Sequence, residues 1–492
     1  MIVLFNPLST TPGKQPLPLS LMSLAAVLEG RERWTLVDGN VVSDPAAEIV
    51  DCLGRVPRSE LSILAVTVMP GPQLSQAVAV CRRIKVAYPD VPIVWGGYFP
   101  TQHSDTILRS SFVDFVVRSQ GEPALLELIA ALKDHRPLDT VGGLSWKARG
   151  GVVHNPIGPM TPLDDLPDLP YHRVDMRHYL HANYLGRRTV AHASSFGCPF
   201  ACSFCAVVAM SNRRWLAQSP ARLEAVMRHL VGTYGVDAVQ MHDMDFFISE
   251  ARTAEFTERI AGLGISWWAL GRVDALMQYR DATWEQMARS GLKMVFTGAE
   301  SGSDETLRAM NKGGNASTSL TLALADRMRR YNIIPEFSFV LGCPPDPEGD
   351  VTRTFEFIRR IKQVNPSTEI VLYTYTPVPL DGALFDNAKR EGFAFPDSLD
   401  EWASPEWRQT SLRRGDGLPW LRGGVRERVR NFERVINAFY PTVTDIRMAG
   451  WQRAILRLTS SWRYATRFYH APYELRALQR LMRYQRPETT GF

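Results

Sequence analysis

Several common features are missing from this 492-residue sequence, and each absence argues against a class of protein. No apolar run approaches the roughly 20 residues that a helix needs to cross a bilayer. The start, Met-Ile-Val-Leu-Phe-Asn-Pro, has no basic n-region, so we interpret it as a first strand and not as a signal peptide. Six cysteines in a chain of this length make no disulfide framework, so we interpret them as reduced thiols available to a metal or to catalysis.

The sequence also lacks a large excess of either charge. It contains 56 Lys and Arg residues and 51 Asp and Glu residues, which gives a formal net charge of +5. An excess this small predicts no nucleic-acid partner. Hydrophobic residues make up 45% of the chain and charged residues 22%, which excludes wholesale disorder. The length suggests about three domains. We therefore expect a soluble, cytoplasmic, multidomain α/β enzyme.

The first domain is expected over residues 1–145, where short apolar runs alternate with helical patterns. This alternation predicts a doubly wound, Rossmann-like parallel sheet, which binds ligands outside the carboxyl ends of its strands. The expected strands cover residues 2–5, 34–37, 63–68, 93–95 and 112–117, and the expected helices cover 19–28, 46–54, 73–87 and 123–132. No G-x-G-x-x-G follows the first strand, so a dinucleotide fingerprint is absent.

Glycine and proline mark the loops at this expected sheet edge. The loops begin at Asn6-Pro7, Asp38-Gly39, Met69-Pro70-Gly71, Gly96-Gly97-Tyr98 and Gln120-Gly121-Glu122. Glycine permits a close approach of the backbone to a bulky ligand, although each loop taken alone is also typical of a tight turn. Five such loops on one edge favour a binding face.

Residues 146–187 are polar and rich in proline, which predicts a linker. A second alternation, over residues 188–390, contains six strand–helix units and predicts a partial (β/α)6 barrel. Its strands are expected at residues 189–193, 238–242, 266–269, 293–296, 336–341 and 369–375, and its helices at 220–234, 250–263, 283–290, 317–331 and 350–364. Residues 391–492 are expected to form a C-terminal helical region rich in arginine and aromatic residues.

The strongest chemical signal is a C-x3-C-x2-C run at Cys198, Cys202 and Cys205, directly after an expected strand. Three thiolates this close favour a soft metal centre, either an iron–sulfur cluster, zinc or Cu(I). A structural zinc site would normally need a fourth Cys or His at zinc-finger spacing, and none follows. Three buried structural cysteines are the remaining alternative, which we disfavour because it requires them to cluster by accident.

The motif resembles that of the radical SAM enzymes, C-x3-C-x-aromatic-C, with Phe204 as the aromatic residue. The resemblance implies a [4Fe–4S] cluster on the three cysteines, an open iron that binds S-adenosyl-L-methionine (SAM), and a 5′-deoxyadenosyl radical formed with an electron from an external flavodoxin- or ferredoxin-type reductant. It extends to Asp243 after the second strand, Arg272 after the third, Gly298, Glu300 and Ser301 at the fourth, and the segment Met310-Asn311-Lys312-Gly313. The expected SAM contacts are Phe204, Asp243, Arg272, Gly298, Glu300 and Ser301.

Two of these assignments have structural alternatives. Glu300 is suited to a ribose hydroxyl, because an ionised carboxylate is a strong acceptor; the alternative is an ion pair with Arg272. Asp243 and Asp245 are equally suited to capping the helix that follows them.

The first domain narrows the resemblance to cobalamin-binding radical SAM enzymes, because Gly96-Gly97-Tyr98-Phe99-Pro100-Thr101 is similar to their G-G-x-x-P-T loop and Gly121-Glu122-Pro123 to another of their turns. The implied cobalamin contacts are Asn6, Met69, Pro70, Gly96, Gly97, Tyr98, Thr101, Gly121 and Glu122. The chain lacks the D-x-H-x-x-G of the wider cobalamin-domain pattern, so no histidine is assigned as lower axial ligand. For Met69 we favour packing over ligation.

The resemblance implies transfer of a methyl group from methylcobalamin to an unactivated carbon of a small-molecule substrate. Two alternatives remain open. The same parts serve oxidative cyclisation or rearrangement in the anaerobic tetrapyrrole cyclase group, and a non-catalytic cobalamin or metal sensor belongs to a different class. The lone cysteines Cys52 and Cys81 are expected in the core. Cys343, beside a barrel strand end, is expected to be structural, with an active-site position as the alternative.

The excess charge is concentrated in the C-terminal region. Residues 442–492 contain nine arginines, no lysine and three acidic residues, whereas the other 441 residues carry a net charge of −1. Apolar side chains share helical faces at Trp451, Ala454, Ile455, Leu458 and Trp462, and at Leu475, Leu478, Leu481 and Met482. We favour packing of these faces on the barrel; the alternative is peripheral contact with a membrane surface and a hydrophobic substrate.

Overall fold

The computed structural model describes residues 1–11, 13–57, 59–312, 315–411, 417–421 and 424–482. Its first sheet has seven strands in the order β2-β1-β3-β4-β5-β6-β7, and the first five are parallel. The strands are β1 (Ile2–Asn6), β2 (Trp34–Asp38), β3 (Ile63–Thr67), β4 (Ile93–Gly96), β5 (Phe115–Val117), β6 (Leu144–Ala148) and β7 (Gly151–His154). The helices are α1 (Leu19–Leu28), α2 (Pro45–Gly54), α3 (Pro72–Ala87), α4 (Tyr98–Gln102), α5 (Ser104–Leu108) and α6 (Gly121–Lys133).

Both faces of this sheet are buried, as the expected doubly wound fold requires. Alternate residues of β1 point to opposite sides, so Val3 and Phe5 join the core under α2 and α3, while Ile2 and Leu4 join the core under α1 and α6. The local signals act as expected. For example, Asp44 accepts a hydrogen bond from the Ala47 N–H at 3.0 Å, and Pro45 follows it to begin α2.

The boundary expected at residue 145 falls inside β6, because the first sheet continues to His154. Strands β6 and β7 pair antiparallel with β5 and with each other, so the sheet is mixed at this edge. The extended segment that follows contacts both halves of the molecule. The Tyr179 hydroxyl donates to Asp38 of β2 at 2.9 Å, and Arg222 of the barrel donates to the Leu166 carbonyl at 2.5 Å.

The second sheet confirms the partial barrel: six parallel strands lie in the order β8-β11-β12-β13-β14-β15. Strands β9 and β10 form a separate antiparallel pair. The strands are β8 (Thr189–His192), β9 (Ser195–Gly197), β10 (Trp215–Ala217), β11 (Ala238–Met241), β12 (Ser266–Arg272), β13 (Leu292–Glu300), β14 (Ile334–Leu341) and β15 (Glu369–Thr374). The helices are α7 (Val207–Ser211), α8 (Pro220–Tyr234), α9 (Glu250–Ile260), α10 (Val273–Met277), α11 (Asp281–Arg289), α12 (Asp304–Ala309), α13 (Thr318–Arg330) and α14 (Pro347–Val364).

The C-terminal region is helical in its described part, and residues 483–492 lie outside the described residues. Its helices are α15 (Ala383–Arg390), α16 (Leu399–Trp402), α17 (Pro405–Ser411), α18 (Gly424–Phe439), α19 (Gly450–Thr466) and α20 (Tyr473–Met482). Trp402 of α16 packs against Phe99 of the first domain, with ring centroids 4.9 Å apart. Phe432 of α18 stacks on Phe355 of α14 at 3.7 Å. The region therefore contacts both the first domain and the barrel.

The favoured packing of the α19 apolar face on the barrel is wrong. Trp451, Leu458 and Trp462 expose 62%, 76% and 49% of their surface. The helix instead turns Leu456, Ser460 and Tyr464 inward. On α20, Leu475 is buried, whereas Leu481 is 80% exposed. Among the described residues, no helix is both long enough and apolar enough to cross a membrane.

Candidate active site

The three motif cysteines lie on the loop between β9 and α7, at the carboxyl side of the barrel. Gly197 ends β9 with φ +81°, and a Cβ there would collide with the Arg214 carbonyl, so the turn into the loop requires glycine. The segment that follows α12 holds this loop in place. The Ser203 N–H donates to the Met310 carbonyl at 3.0 Å, and the Asn311 amide donates to the Ala201 carbonyl at 3.0 Å.

All three thiols are withdrawn from water, with Cys202 buried and the other two partly buried. Burial raises the pKa of Cys198 to about 11 and that of Cys205 to about 12. Loss of the thiol proton in such a setting requires a nearby positive charge, which a metal centre supplies. Within the described ranges, no group of three His, Cys, Asp or Glu side chains is arranged to hold a single metal ion. A four-iron cluster binds each thiolate on a different iron and fits this donor set.

Arg272 is the positive charge beside the loop. Its Nη1 donates to the Cys202 sulfur at 3.2 Å, and its guanidinium lies 3.7 Å from the centre of the Phe200 ring. Its Nε and Nη2 bind the Asp274 carboxylate at 3.0 and 2.7 Å, and Nη2 also donates to the Lys312 carbonyl. Burial disfavours the charged form, but Asp274 and Cys202 outweigh it and raise the pKa of Arg272. The expected SAM contact of Arg272 stays a prediction; the structure places Arg272 beside one of the motif cysteines, Cys202.

Glu300 ends β13 with φ +63°, next to a shift in the register between β13 and β14. The alternative prediction of an ion pair between Glu300 and Arg272 is wrong. The Glu300 carboxylate pairs with Lys312, whose ammonium group also donates to the Gly298 carbonyl at 2.5 Å. Lys312 is a site residue that sequence reasoning missed, although it belongs to the segment quoted after the fourth strand. Gly313 of that segment lies outside the described residues.

The other predicted SAM contacts at the fourth strand, Ser301 and Gly298, contact neighbouring groups of the protein itself. Ser301 is buried, and its hydroxyl donates to Asp350 at 3.2 Å. Gly298 leaves no space for a side chain, because a Cβ would collide with the Glu300 carboxylate. Phe204 lies in the cysteine loop and is partly buried against the barrel core. The SAM contacts of these residues stay predictions.

The two carboxylates after β11 differ in their partners, and neither caps α9, because Ser249 is the N-cap. Asp243 is fully buried and accepts from the Ser194 hydroxyl at 2.8 Å and from its N–H at 3.2 Å. Asp245 is 1% exposed and accepts from the Phe247 N–H at 3.1 Å, but its second oxygen has no partner. Burial raises the pKa of Asp245 to about 7, although Arg272 opposes the shift. Asp245 is therefore the carboxylate with an oxygen left for a ligand.

A cavity of about 390 Å³ lies between the carboxyl edge of the first sheet and the barrel. The first domain contributes four of the expected cobalamin contacts to its wall, Gly96, Gly97, Gly121 and Glu122. The barrel side contributes His192, Phe196, Met210, His242 and Met244. The carboxyl edge of the first sheet and the barrel thus line the same cavity.

Other expected cobalamin contacts lie outside this wall. The Asn6 amide is buried and donates to Asp38 at 3.0 Å, and the Thr101 hydroxyl donates to the Gly97 carbonyl at 2.7 Å. Met69 is 50% exposed, and Pro70 follows it in the same loop; the packing role favoured for Met69 stays a prediction. Tyr98 begins α4, which packs on α7. Burial raises the pKa of Tyr98 to about 12. The packing of α4 on α7, the helix that follows the cysteine loop, links the first domain to this part of the barrel.

The cavity edge fits a bulky planar cofactor. Gly97 has φ +97°, and a Cβ there would lie 3.1 Å from the Thr67 hydroxyl, so a side chain would narrow the space. Of the lone cysteines, Cys81 is buried and accepts from the Trp95 indole at 3.3 Å, as a core residue would. Cys52 is only partly buried. Cys343 is buried in the barrel core, just after the end of β14. The Trp420 indole N–H, from the C-terminal region, donates to the carbonyl of the preceding residue, Gly342, and so covers this strand end.

Comparison with known proteins assigns the two halves to two families. Residues 7–129 match the B12 binding domain, and residues 193–358 match the radical SAM superfamily. The chain is 28% identical over 362 residues to an anaerobic magnesium-protoporphyrin IX monomethyl ester cyclase of Synechocystis, covering 72% of this chain and 69% of the cyclase. It is 27% identical over 348 residues to an uncharacterized methyltransferase of Pyrococcus horikoshii, covering 70% of this chain and 73% of that protein.

Solved structures share the fold. The radical SAM methyltransferase TsrM of Kitasatospora setae, with cobalamin and a [4Fe–4S] cluster bound, aligns with a TM-score of 0.67 at 16% identity over 98% of both chains. The cobalamin-dependent radical SAM enzyme OxsB aligns with a TM-score of 0.63 at 19% identity, over 75% of this chain and 53% of OxsB.

The fold and the two domain matches define a radical SAM enzyme with an N-terminal B12 domain. The chain belongs to the cobalamin-binding radical SAM enzymes, whose cofactors are a [4Fe–4S] cluster, SAM and cobalamin.

Proposed function

We propose that this enzyme is a methyltransferase acting at an unactivated carbon of a small molecule. One observation carries the proposal: the glycine edge of the B12 domain and the barrel mouth share one cavity. The cofactors together would supply a radical that removes a hydrogen atom from the substrate and a methyl group that replaces it. A shared space permits both events on one bound substrate.

Within this proposal the chain positions the cofactors and excludes water. Cys198, Cys202 and Cys205 hold the cluster, and Arg272 fixes the Cys202 sulfur through its hydrogen bond. The Lys312 ammonium holds the Glu300 carboxylate where an acceptor for the SAM ribose is expected. The unpartnered Asp245 oxygen is suited to the SAM amino group, because a buried acceptor without a donor is costly.

The cavity wall supports a hydrophobic substrate. On the barrel side it includes the apolar side chains of Phe196, Met210 and Met244, and Met244 exposes 47% of its surface there. Apolar walls bind through the area that they remove from water, which favours a polycyclic lipid or a tetrapyrrole over a charged metabolite.

A second candidate is cyclisation or rearrangement without methyl transfer, favoured by the 28% identity to the anaerobic cyclase of Synechocystis. The products separate the two reactions. Methyl transfer gives S-adenosylhomocysteine together with 5′-deoxyadenosine, whereas a radical reaction alone gives 5′-deoxyadenosine without S-adenosylhomocysteine. Formation of deoxyadenosine alone with the true substrate would overturn the methyltransferase proposal and leave the enzyme class intact.

Cysteine variants test the enzyme class itself. After anaerobic reconstitution with iron, sulfide and a flavodoxin-type reductant, wild type is expected to cleave SAM, and Cys198→Ala is expected to lose both its full iron content and SAM cleavage. Cys52→Ala is the matched control, since it removes a partly buried thiol far along the chain from the motif. If wild type and Cys198→Ala bound the same iron and neither cleaved SAM, a non-catalytic sensor would be the better description.

A further inference from the structure

Helix α19 presents an apolar stripe to solvent. Trp451, Ile455, Leu458 and Trp462 follow one another at intervals of four, three and four residues, so they share one face. Their exposed fractions are 62%, 39%, 76% and 49%. The opposite face holds the helix on the protein body through Leu456, Ser460 and Tyr464. The stripe is therefore a fixed feature of a docked helix.

Neighbouring residues extend the stripe into a patch. Phe468 stacks on Trp462 with ring centroids 5.9 Å apart and is 48% exposed. We call Phe468 and the stripe the α19 patch. On the next helix, α20, Tyr473 and Leu481 are also 69% and 80% exposed. An apolar patch rich in Trp and Phe marks an interaction surface, and such rings are suited to the boundary between hydrocarbon and water.

The charge of this segment is of one sign at the surface. Residues 442–482 contain only two acidic residues. Asp445 is buried, and Glu474 is paired with Arg463. In contrast, Arg447, Arg457 and Arg480 are exposed. Within the described part of the chain, none of these three arginines pairs with a carboxylate. The free charge that this segment offers a partner is therefore positive.

We propose that the α19 patch docks on an anionic lipid bilayer, with α19 lying in the plane of the interface. Apolar burial and attraction to anionic headgroups act together in such helices. The charge argues against a second copy of this chain as the occupant, because a symmetric dimer would place the same arginines against one another. Docking would anchor the enzyme at a surface where hydrophobic molecules accumulate.

Vesicle partitioning of the full-length protein tests the proposal. Wild type is expected to bind phosphatidylcholine vesicles that contain phosphatidylglycerol, to bind pure phosphatidylcholine vesicles much less, and to be released by salt. Leu458→Ser with Trp462→Ser is expected to weaken partitioning by about tenfold or more. Val86→Ser is the matched control, because Val86 is 84% exposed on α3, outside the patch.

The arginines give a second, independent measurement. Replacing Arg447, Arg457 and Arg480 by Gln is expected to weaken binding by about fivefold for each charge removed, whereas Arg289→Gln on α11 leaves binding unchanged. No binding of wild type to anionic vesicles, or equal binding of the Leu458→Ser/Trp462→Ser and Val86→Ser variants, would overturn the proposal. So would a wild-type dimer that the Leu458→Ser/Trp462→Ser variant converts to a monomer, since the patch would then serve self-association.

Discussion

The guanidinium of Arg272 donates a hydrogen bond to the Cys202 sulfur at 3.2 Å while it holds the Asp274 carboxylate. Arg272 and Asp274 expose only 8% and 7% of their side chains, so a buried ion pair lies directly behind one of the three motif cysteines. Breaking one half of such a pair leaves an uncompensated charge in the interior. The arrangement ties the position of a thiolate to an ion pair of β12 and α10.

Removing the Arg272 charge is expected to destabilise the protein more than removing both charges. Arg272→Gln leaves Asp274 buried without its partner, at a cost of about 3–5 kcal/mol in the free energy of unfolding. Arg272→Gln with Asp274→Asn removes the unpaired charge and is expected to recover part of that loss. Urea denaturation of the apoproteins measures both. Equal losses in the single and double variants would show that the unpaired Asp274 carboxylate carries no penalty in the interior.

The Glu300 carboxylate is expected to determine SAM affinity. Glu300→Gln keeps the shape of the side chain but removes the charged acceptor that Lys312 holds, so SAM binding is expected to weaken by about tenfold or more. Equilibrium dialysis with the cluster-loaded protein measures the affinity, and iron content is expected to stay unchanged. Glu305→Gln, an exposed change on α12, serves as the control. Unaltered SAM affinity in Glu300→Gln would refute a ribose contact.

Gly97→Ala is expected to reduce cobalamin retention. The residue has φ +97°, which costs an L-residue about 1–2 kcal/mol, and the new methyl group would lie 3.1 Å from the Thr67 hydroxyl at the cavity wall. Gly150→Ala is a matched control, because a Cβ there meets nothing within 4 Å. Absorbance of bound cobalamin after gel filtration reports retention. If both variants kept the wild-type amount, the glycine edge would not be the cobalamin surface.

His103 is expected to make stability depend on pH. Burial lowers the pKa of His103 to about 4, and its ring packs on Phe99, Phe395 and Trp402. Below pH about 6.5 the unfolded chain binds a proton there that the native state does not bind until about pH 4. Stability is therefore lost as the pH falls through this window.

His103→Phe is expected to flatten the pH dependence of the melting temperature between pH 6.5 and 4, while His172→Gln, at an exposed site, leaves it unchanged. Part of the slope remains in His103→Phe because burial also lowers the pKa of His242 to about 4. An unchanged slope in His103→Phe would show that the histidine ionises without disturbing the contact between the first domain and α16.

Strands and their order followed from local pattern, because a buried parallel strand is a continuous apolar run bounded by turn residues. All six barrel strands were predicted, four of them within two residues of their observed bounds, whereas β12 and β13 continue three and four residues beyond their predicted ends. The β6–β7 hairpin was missed, since β7 is largely exposed and its residues lack the alternation of a half-buried strand. The motif predicted that the three cysteines follow a strand, but not that the antiparallel pair β9–β10 flanks their loop.

Side-chain contacts between elements that are distant in the sequence were harder to predict. Lys312 as the partner of Glu300, Ser194 as the partner of Asp243, and the outward face of α19 each depend on contacts between distant elements. Periodicity identified the apolar face of α19 but not the direction in which it points. That direction follows from Leu456, Ser460 and Tyr464, two of which are polar by type and buried only through tertiary packing.

Methyl-group labelling tests the central claim most directly. The reconstituted enzyme is incubated with SAM carrying a deuterated methyl group, a reductant and an extract of the source cells, and products are identified by mass spectrometry. The account predicts a product that gains the labelled methyl group on carbon, with S-adenosylhomocysteine and 5′-deoxyadenosine formed in step and neither formed by Cys198→Ala. A product that lacks the labelled methyl group and forms together with 5′-deoxyadenosine, but without S-adenosylhomocysteine, would contradict the proposed methyl transfer.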